Sequence, residues 1–269
     1  MLRLETVFCG DGIEIADVAC RHRAGRGQVG EPSPGLALVF VRRGSFLRSA
    51  NGVETLLDPT VAYAINPGEE QRYDHLDNRG DACTKLFLAL SVVADVCGGD
   101  TELPSGPLPA PPEIDLEHRL LLATAKRGGD PHELSERSLG LIACTLAQRD
   151  PRRAASGRAT TATARRALAD GVREALAADR ERSLPELARE LSVSPHHLSR
   201  VFRSVTGYTV SRHRIRLRAR DAIERLAGGE QSLARVAADT GFADASHLSR
   251  VLRHETGHTP AALRGAVRP

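Results

Sequence analysis

Four side chains in the first hundred residues have the types and spacing for metal or thiol chemistry. Cys20 and His22 stand two residues apart, so a β-strand would place both side chains on one face. Together with His75 and Cys83, they would form a zinc site or an oxidant-sensitive thiol site. The alternative is that the cysteines are small buried apolar residues and that the histidines lie in loops or on the surface. The lack of a C-x-x-C spacing favours this alternative.

The small number of histidines in the first hundred residues argues against an enzyme. Metal-dependent enzymes built on small β-barrels usually present several histidines, often as H-x-H, to hold iron or manganese. Residues 1–100 contain only His22 and His75, with no H-x-H. We therefore expect no catalytic residues, no cofactor and no enzymatic activity.

A repeated stretch in the last hundred residues points to a different kind of chemistry. Residues 197–207 read HLSRVFRSVTG and residues 247–257 read HLSRVLRHETG, at an offset of 50. Such self-similarity indicates that one structural unit occurs twice. In each copy an apolar-patterned helix, a short break and a second helix precede a glycine. This pattern predicts a helix-turn-helix, whose second helix enters the DNA major groove.

The outward faces of these helices carry the candidate DNA contacts. Arg200 and Arg250 are equivalent in the two copies, and an arginine can bond both acceptors of a guanine. A solvated or phosphate-bound side chain is the alternative for each outward arginine. The predicted DNA-binding residues are His196, Ser199, Arg200, Arg203, Arg212, Arg216, Ala245, Ser246, Ser249, Arg250 and Arg253.

Charge is unevenly divided along the chain. Residues 1–150 carry a net charge of −7, whereas residues 151–269 carry +10, and all 22 basic residues of this second part are arginines. A basic half indicates an acidic partner, most commonly a phosphate backbone. A further helix is expected to link the two copies, and it carries arginines at every second position from Arg212 to Arg220. These five arginines predict phosphate contacts from at least one end of that linker helix.

The elements that must position these residues follow from local patterns. In the first hundred residues, short apolar runs at 36–41, 53–57, 61–65 and 84–91 alternate with turn residues such as Asn51-Gly52. They predict an antiparallel barrel or jelly roll of a size that holds one small ligand. Residues 113–126 and 132–148 are predicted as two helices, which either cover the barrel or form a dimerisation surface.

The resulting fold class is α+β, with four segments. They are a β-barrel sensor domain at 1–100, a helical hairpin at 101–149, a linker at 150–165 and an all-α double helix-turn-helix domain at 166–269. No apolar run of about 18 residues exists, so no membrane span is expected. An odd number of cysteines without tight spacing, and an N-terminus without an apolar core, favour the reducing cytoplasm.

The last hundred residues resemble the AraC/XylS transcriptional regulators. The resemblance lies in the linked pair of helix-turn-helix units, in RLRARDAIERL and in GFADASHLSRVLRHETGHTPAALR. Two departures are Leu252, where the family commonly has Phe, and Val210, where it has Pro. The resemblance implies double-stranded DNA as the partner and an N-terminal cupin-like barrel that binds a small effector. It also implies a helical region that forms a homodimer.

Two hypotheses on control follow. The first is a DNA-binding activator, with RNA polymerase as a further partner, whose barrel responds to an unknown small molecule. The second is a redox- or metal-responsive regulator on the same DNA reader, in which Cys20, His22, His75 and Cys83 form the switch.

Overall fold

The computed structural model describes residues 2–21, 24–25, 27, 30, 32–148 and 159–268, with side chains of the first long C-terminal helix described from residue 162. The strands of this part of the chain lie before the helix pair, as the sequence predicted. They are β1 (Leu2–Gly10), β2 (Ile13–Cys20), β3 (Leu36–Arg43), β4 (Phe46–Ala50), β5 (Val53–Leu57), β6 (Val61–Ile65), β7 (Gln71–His75), β8 (Asp81–Leu88) and β9 (Pro107–Pro109).

The strands form two antiparallel sheets. The larger sheet has the order β1-β2-β8-β3-β6-β9, and the smaller one has the order β5-β4-β7. Asn51 and Gly52 join β4 to β5 with φ values of 51° and 75°, the left-handed backbone that a tight hairpin requires. The apolar side chains that the sheets share include Val39, Phe46 and Tyr63. The predicted cupin-like barrel and the α+β class are confirmed.

Apart from the first helix, which precedes β9, the helices of the described residues follow the strands. The helices are α1 (Leu90–Val96), α2 (Pro112–Lys126), α3 (Pro131–Leu146), α4 (Ala159–Ala178), α5 (Leu184–Glu190), α6 (Pro195–Thr206), α7 (Val210–Ala227), α8 (Leu233–Asp239), α9 (Ala245–Thr256) and α10 (Pro260–Val267). None of these helices has the length and apolar character that a membrane crossing requires.

Helix α2 is buried on two sides. Leu121 and Leu122 pack on the outer face of the larger sheet, beside Leu38 and Phe40. On another side, Leu116 joins the apolar core of the second helix-turn-helix. Leu120 also packs against that second core, so α2 contacts two different apolar cores.

The chain divides into two compact units, and the division falls inside α7. One unit comprises Met1–Arg149 and Arg218–Pro269, and the other comprises Asp150–Leu217. The second helix-turn-helix therefore packs in the same unit as the barrel, a grouping that the sequence did not indicate. Residues 159–165, expected in the linker, form the first turns of α4, whereas residues 150–158 lie outside the described residues.

Candidate nucleic-acid interface

The first helix-turn-helix is built from α5 and α6. Ser183 and Glu186 form a capping box at the start of α5. The side chain of Ser194 accepts a 3.2 Å hydrogen bond from the backbone N–H of His197, which fixes the start of α6. Leu198 and Phe202 are fully buried in the core of this unit. The helix therefore turns its opposite face to solvent, where His196, Arg200 and Arg203 are exposed and Ser199 is half-buried.

The second helix-turn-helix repeats this arrangement with different capping chemistry. Asp244 accepts a 2.7 Å hydrogen bond from the backbone N–H of His247 at the start of α9. Leu248 and Leu252 are buried, so Leu252 takes the core position that Phe202 holds in the first copy. The solvent side of α9 has Ser246, Arg250 and Arg253 exposed. Ser249 and Ala245 are half-buried, and the Ser249 hydroxyl donates to the Ala245 carbonyl at 2.7 Å.

Each of the two turns contains one residue with a left-handed backbone, but that residue differs between the copies. Ser192 has φ +55° in the first copy, and Gly241 has φ +75° at the corresponding position of the second. The next residue in each turn, Val193 or Phe242, donates its N–H at 2.9 Å to a carbonyl near the end of the preceding helix. The left-handed position favours glycine, so the first turn holds its serine at a conformational cost.

The arginines of α7 are placed differently from the sequence expectation. Arg216 is only 3% exposed and its guanidinium stacks on the ring of Tyr208, 4.1 Å from the ring centre. The guanidinium of Arg214 donates to the carbonyl of Arg182. Arg220 is buried and pairs with Asp115 at 3.2 Å. These three side chains therefore support the protein itself, and Arg212, half-buried in the first turn of α7, is the predicted linker contact nearest to solvent.

A buried polar network joins α2 to α7. Arg119 of α2 lies between Asp115, at 3.3 Å, and Glu224, at 2.6 Å. Burial alone would raise the pKa of Asp115, but Arg119 and Arg220 outweigh it and hold this pKa well below its usual range. Burial likewise opposes the charge of Glu224, whose pKa is lowered by Arg42 and Arg119. Both carboxylates are therefore ionised and paired inside the fold.

His118 belongs to the same region of α2. Its ring stacks on Phe40 with a centroid distance of 4.9 Å, and its Nδ1 lies 3.2 Å from the Thr84 hydroxyl. Burial disfavours the charged imidazole and lowers the pKa of His118 to about 4, although Asp115 acts in the opposite direction. The ring is therefore neutral at physiological pH.

The cysteine and histidine candidates are only partly brought together. Cys20 Sγ lies 3.6 Å from His75 Nε2, and Asp81, which sequence reasoning did not select, lies 3.1 Å from His75 Nδ1. Cys83 is fully buried, and burial raises the pKa of its thiol far above its usual range. His22 lies outside the described residues. Asp81 pairs with Cys20 across neighbouring strands, and no local feature of the sequence indicates this pairing.

These observations define a protein with a barrel domain and a duplicated helix-turn-helix. Residues 187–266, which span both copies, match the family model described as a helix-turn-helix domain. The MmsAB operon regulatory protein of Pseudomonas aeruginosa is 33% identical over 85 residues, which cover 32% of this chain. The matched region spans only 28% of that relative's length.

Two solved structures complete the comparison. ToxT from Vibrio cholerae O395 is 10% identical, with coverage of 96% of this chain and 99% of that one and a TM-score of 0.37. The DNA-binding domain of AdpA, a global transcriptional factor solved with a target DNA, is 32% identical. That likeness covers 37% of this chain and 90% of that one, with a TM-score of 0.34. The helix-turn-helix match across both copies confirms the resemblance of the last hundred residues to the AraC/XylS family of DNA-binding transcriptional regulators.

Proposed function

We propose that this regulator reads DNA with two recognition helices, α6 and α9, which enter successive major grooves of one site. The observation that supports the proposal is the equivalence of the exposed faces. Arg200 and Arg203 on α6 correspond to Arg250 and Arg253 on α9, and all four are exposed. A repeated exposed basic face is expected if both helices meet the same kind of surface.

Each helix combines two kinds of contact in this proposal. Arg200 and Arg250, in the first half of their helices, are placed to bond the O6 and N7 atoms of a guanine. His196 and Ser246, at the starts of the two helices, have shorter side chains that are proposed to contact base edges. Ser199, Ala245 and Ser249 lie on the same side of their helices and complete the proposed contact face. Arg203 and Arg253, about one helical turn further along, are proposed to contact phosphates, and Arg212 is a third proposed phosphate contact. Arg216, stacked on Tyr208, is the predicted contact that its placement supports least.

We further propose that the chain acts as an activator and as a homodimer, with RNA polymerase among its partners in the cytoplasm. The proposed dimer surface is the outer face of α3, where Leu139 is 40% exposed beside the small exposed residues Ala143 and Cys144. Leu139→Glu is expected to shift a dimer to a monomer in sedimentation velocity. A wild-type chain that sediments as a monomer at micromolar concentration would remove this part of the proposal.

The last part of the proposed function is control of the regulator by a small effector that binds in the barrel. Arg48 pairs with Glu69 at 2.5 Å and donates to Gln71 at 3.0 Å, and the proposed effector would be a small polar molecule that replaces one partner in these buried bonds. Helix α2 gives a physical route from the barrel to the reader. It packs on the sheet through Leu121 and contributes Leu116 to the core of the second helix-turn-helix.

The proposed reading mode is tested by genome-wide footprinting in the host, followed by binding to the recovered sites at several salt concentrations. Two helices in successive grooves predict two protected segments about 34 Å, or one helical turn, apart. Affinity should fall steeply as salt rises, because bound arginines release counterions from the phosphates. Protection of a single short segment, or binding that ignores salt, would contradict the two-helix proposal.

A further inference from the structure

Three chemically distinct side chains meet at one end of the barrel. Cys20 ends β2 and Asp81 begins β8, and the two residues are direct partners in the antiparallel pairing. His75 ends β7 of the smaller sheet, where its backbone exchanges hydrogen bonds of 3.0 and 3.1 Å with Gly25. The cluster therefore draws one residue from each of three strands and joins the two sheets.

The spacing of the donor atoms fits a single metal ion. Cys20 Sγ and His75 Nε2 are 3.6 Å apart, and each of the three residues offers one ligand atom within 4.8 Å of the other two. Zinc bonds of about 2.3 Å to sulfur and about 2.0 Å to nitrogen, at a tetrahedral angle, place the two donors about 3.5 Å apart. The sulfur and Nε2 therefore need little rearrangement to receive the ion, whereas Asp81, which lies 3.1 Å from the other ring nitrogen, Nδ1, must move away from that nitrogen to bind it.

The charge and chemical type of the three donor groups indicate which metal ion the cluster would bind. A thiolate and a carboxylate would together neutralise a divalent cation, while a neutral imidazole adds no charge. This balance matters because the cluster is shielded from water, with Cys20 6% exposed and the side chains of His75 and Asp81 9% and 8% exposed. A sulfur and an imidazole donor favour zinc over magnesium or calcium, which prefer oxygen ligands alone.

We propose that Cys20, His75 and Asp81 form a zinc-binding site that ties the smaller sheet to the larger one. Three protein ligands leave the fourth tetrahedral position for water or another donor. The bound ion would link β7 to the β2–β8 pair and stabilise the barrel in proportion to its occupancy. This site goes beyond the DNA reader, and its binding of zinc does not depend on whether the chain reads DNA as proposed.

The direct test uses the purified full chain, freed of metal with a chelator and then given zinc in slight excess. After desalting, mass spectrometry of the metal content is expected to find one zinc per chain. Cobalt is the second probe, since a thiolate ligand produces a sulfur-to-cobalt charge-transfer band that oxygen and nitrogen ligands do not. Zinc should raise the melting temperature of the chain, and magnesium at the same concentration should leave it unchanged.

Variants locate the site. Cys20→Ser, His75→Gln and Asp81→Asn should each weaken zinc binding by about tenfold or more, and Cys20→Ser should abolish the cobalt charge-transfer band. Cys9→Ser and Cys144→Ser are the matched controls, because both thiols are exposed on other elements and should leave binding unchanged. Circular dichroism of each metal-free variant shows whether it is folded.

Two results would overturn the assignment. One is a wild-type chain that retains no zinc or shows no cobalt charge-transfer band, which would leave the cluster as a buried, hydrogen-bonded thiol and imidazole. The other is a folded Cys20→Ser variant that binds zinc as tightly as the wild type, which would place the metal elsewhere on the chain.

Discussion

Arg119 of α2 donates a 2.6 Å hydrogen bond from its guanidinium to the carboxylate of Glu224, which lies on α7 just before the second helix-turn-helix. The same guanidinium donates at 2.7 Å to the carbonyl of Arg42, at the end of β3. One side chain thus bonds the barrel and the DNA reader at once. Because Arg119 is almost fully buried, these bonds are made where water cannot replace them.

Removal of Arg119 is expected to be strongly destabilising. In Arg119→Met, the carboxylate of Glu224 loses its closest cation and Asp115 loses one of its two, although the alkyl part of the side chain is retained. Uncompensated buried charge should lower the free energy of unfolding of this unit by about 3–5 kcal/mol. Urea unfolding at pH 7, followed by far-ultraviolet circular dichroism, measures the change.

Arg137→Met is the matched control for Arg119→Met. Arg137 pairs with Glu117 at 2.8 Å on the two neighbouring helices of the hairpin, but it remains partly exposed to solvent. Its loss should cost about 1 kcal/mol or less, as is usual for accessible ion pairs. Equal losses in the two variants would show that burial does not strengthen the Arg119 network.

The neutral, buried ring of His118 makes stability depend on pH. Its folded pKa of about 4 lies below the unfolded value of about 6.5, so the unfolded chain binds more protons between these limits. The contribution of His118 to stability should therefore be constant above pH 6.5. It should decline as pH falls from 6.5 to 4, by about 3 kcal/mol in all. Unfolding free energies measured across this window give the slope.

Comparison of the wild type with His118→Gln isolates the contribution of His118 to the pH dependence of stability. His118→Gln cannot take up a proton, so its curve should be flatter than that of the wild type between pH 4 and 6.5. The other titrating groups, including Asp81, whose burial raises its pKa to about 6, affect both proteins alike. Parallel curves for the two proteins would mean that the His118 ring is protonated in the folded state without cost.

Much of the helix-turn-helix was accessible from the sequence because its signals are local. The helices are capped by residue types that are typical of N-caps, namely Ser183, Ser194, Ser232, Asp244 and Thr259. Apolar residues three and four apart identified the buried faces of α6 and α9. The outward residues followed by exclusion, which is why the exposed arginines of both helices were selected correctly as surface residues.

What the sequence did not reveal depends on contacts between distant segments. An arginine in an alternating run has the same local pattern whether it meets phosphate or an internal partner. Arg220 meets Asp115 and Arg216 meets Tyr208, and nothing within several residues of either arginine indicates these partners. Asp81 was missed for the same reason, since its proximity to Cys20 arises from strand pairing across sixty residues of chain.

The unequal turns of the two copies predict a stabilising substitution. Ser192 adopts a left-handed φ of +55°, which costs a serine more than a glycine, and its side chain is exposed. Ser192→Gly should stabilise the unit that contains α5 and α6 by about 0.5–1 kcal/mol, because relief of strain exceeds the added entropy of the unfolded chain. Thermal unfolding reports the gain as a higher melting temperature.

The reciprocal change in the second copy is the control. Gly241 has φ +75° at the corresponding position, so Gly241→Ser should destabilise its own unit by a similar amount. If Ser192→Gly lowered the melting temperature, an interaction of the serine side chain would outweigh the backbone strain.

The exposed arginines of the recognition helices should separate sequence reading from general DNA binding. Arg200→Ala and Arg250→Ala are each expected to weaken binding to the target site by about 1–3 kcal/mol, with a much smaller effect on random DNA. Arg203→Ala should weaken binding to both DNAs alike and reduce the salt dependence, because a phosphate contact carries no sequence information. Fluorescence anisotropy with target and scrambled duplexes measures all of these affinities.

Arg3→Ala provides the charge-matched control for these DNA measurements. Arg3 lies on β1, where its side chain is 75% exposed and pairs with Glu5. Its loss removes the same charge from the chain as the loss of Arg200 or Arg250. Its affinity for target DNA should equal that of the wild type. If Arg3→Ala weakened target binding as much as Arg250→Ala, net charge rather than the face of α9 would govern affinity. Base reading by that helix would then have no support.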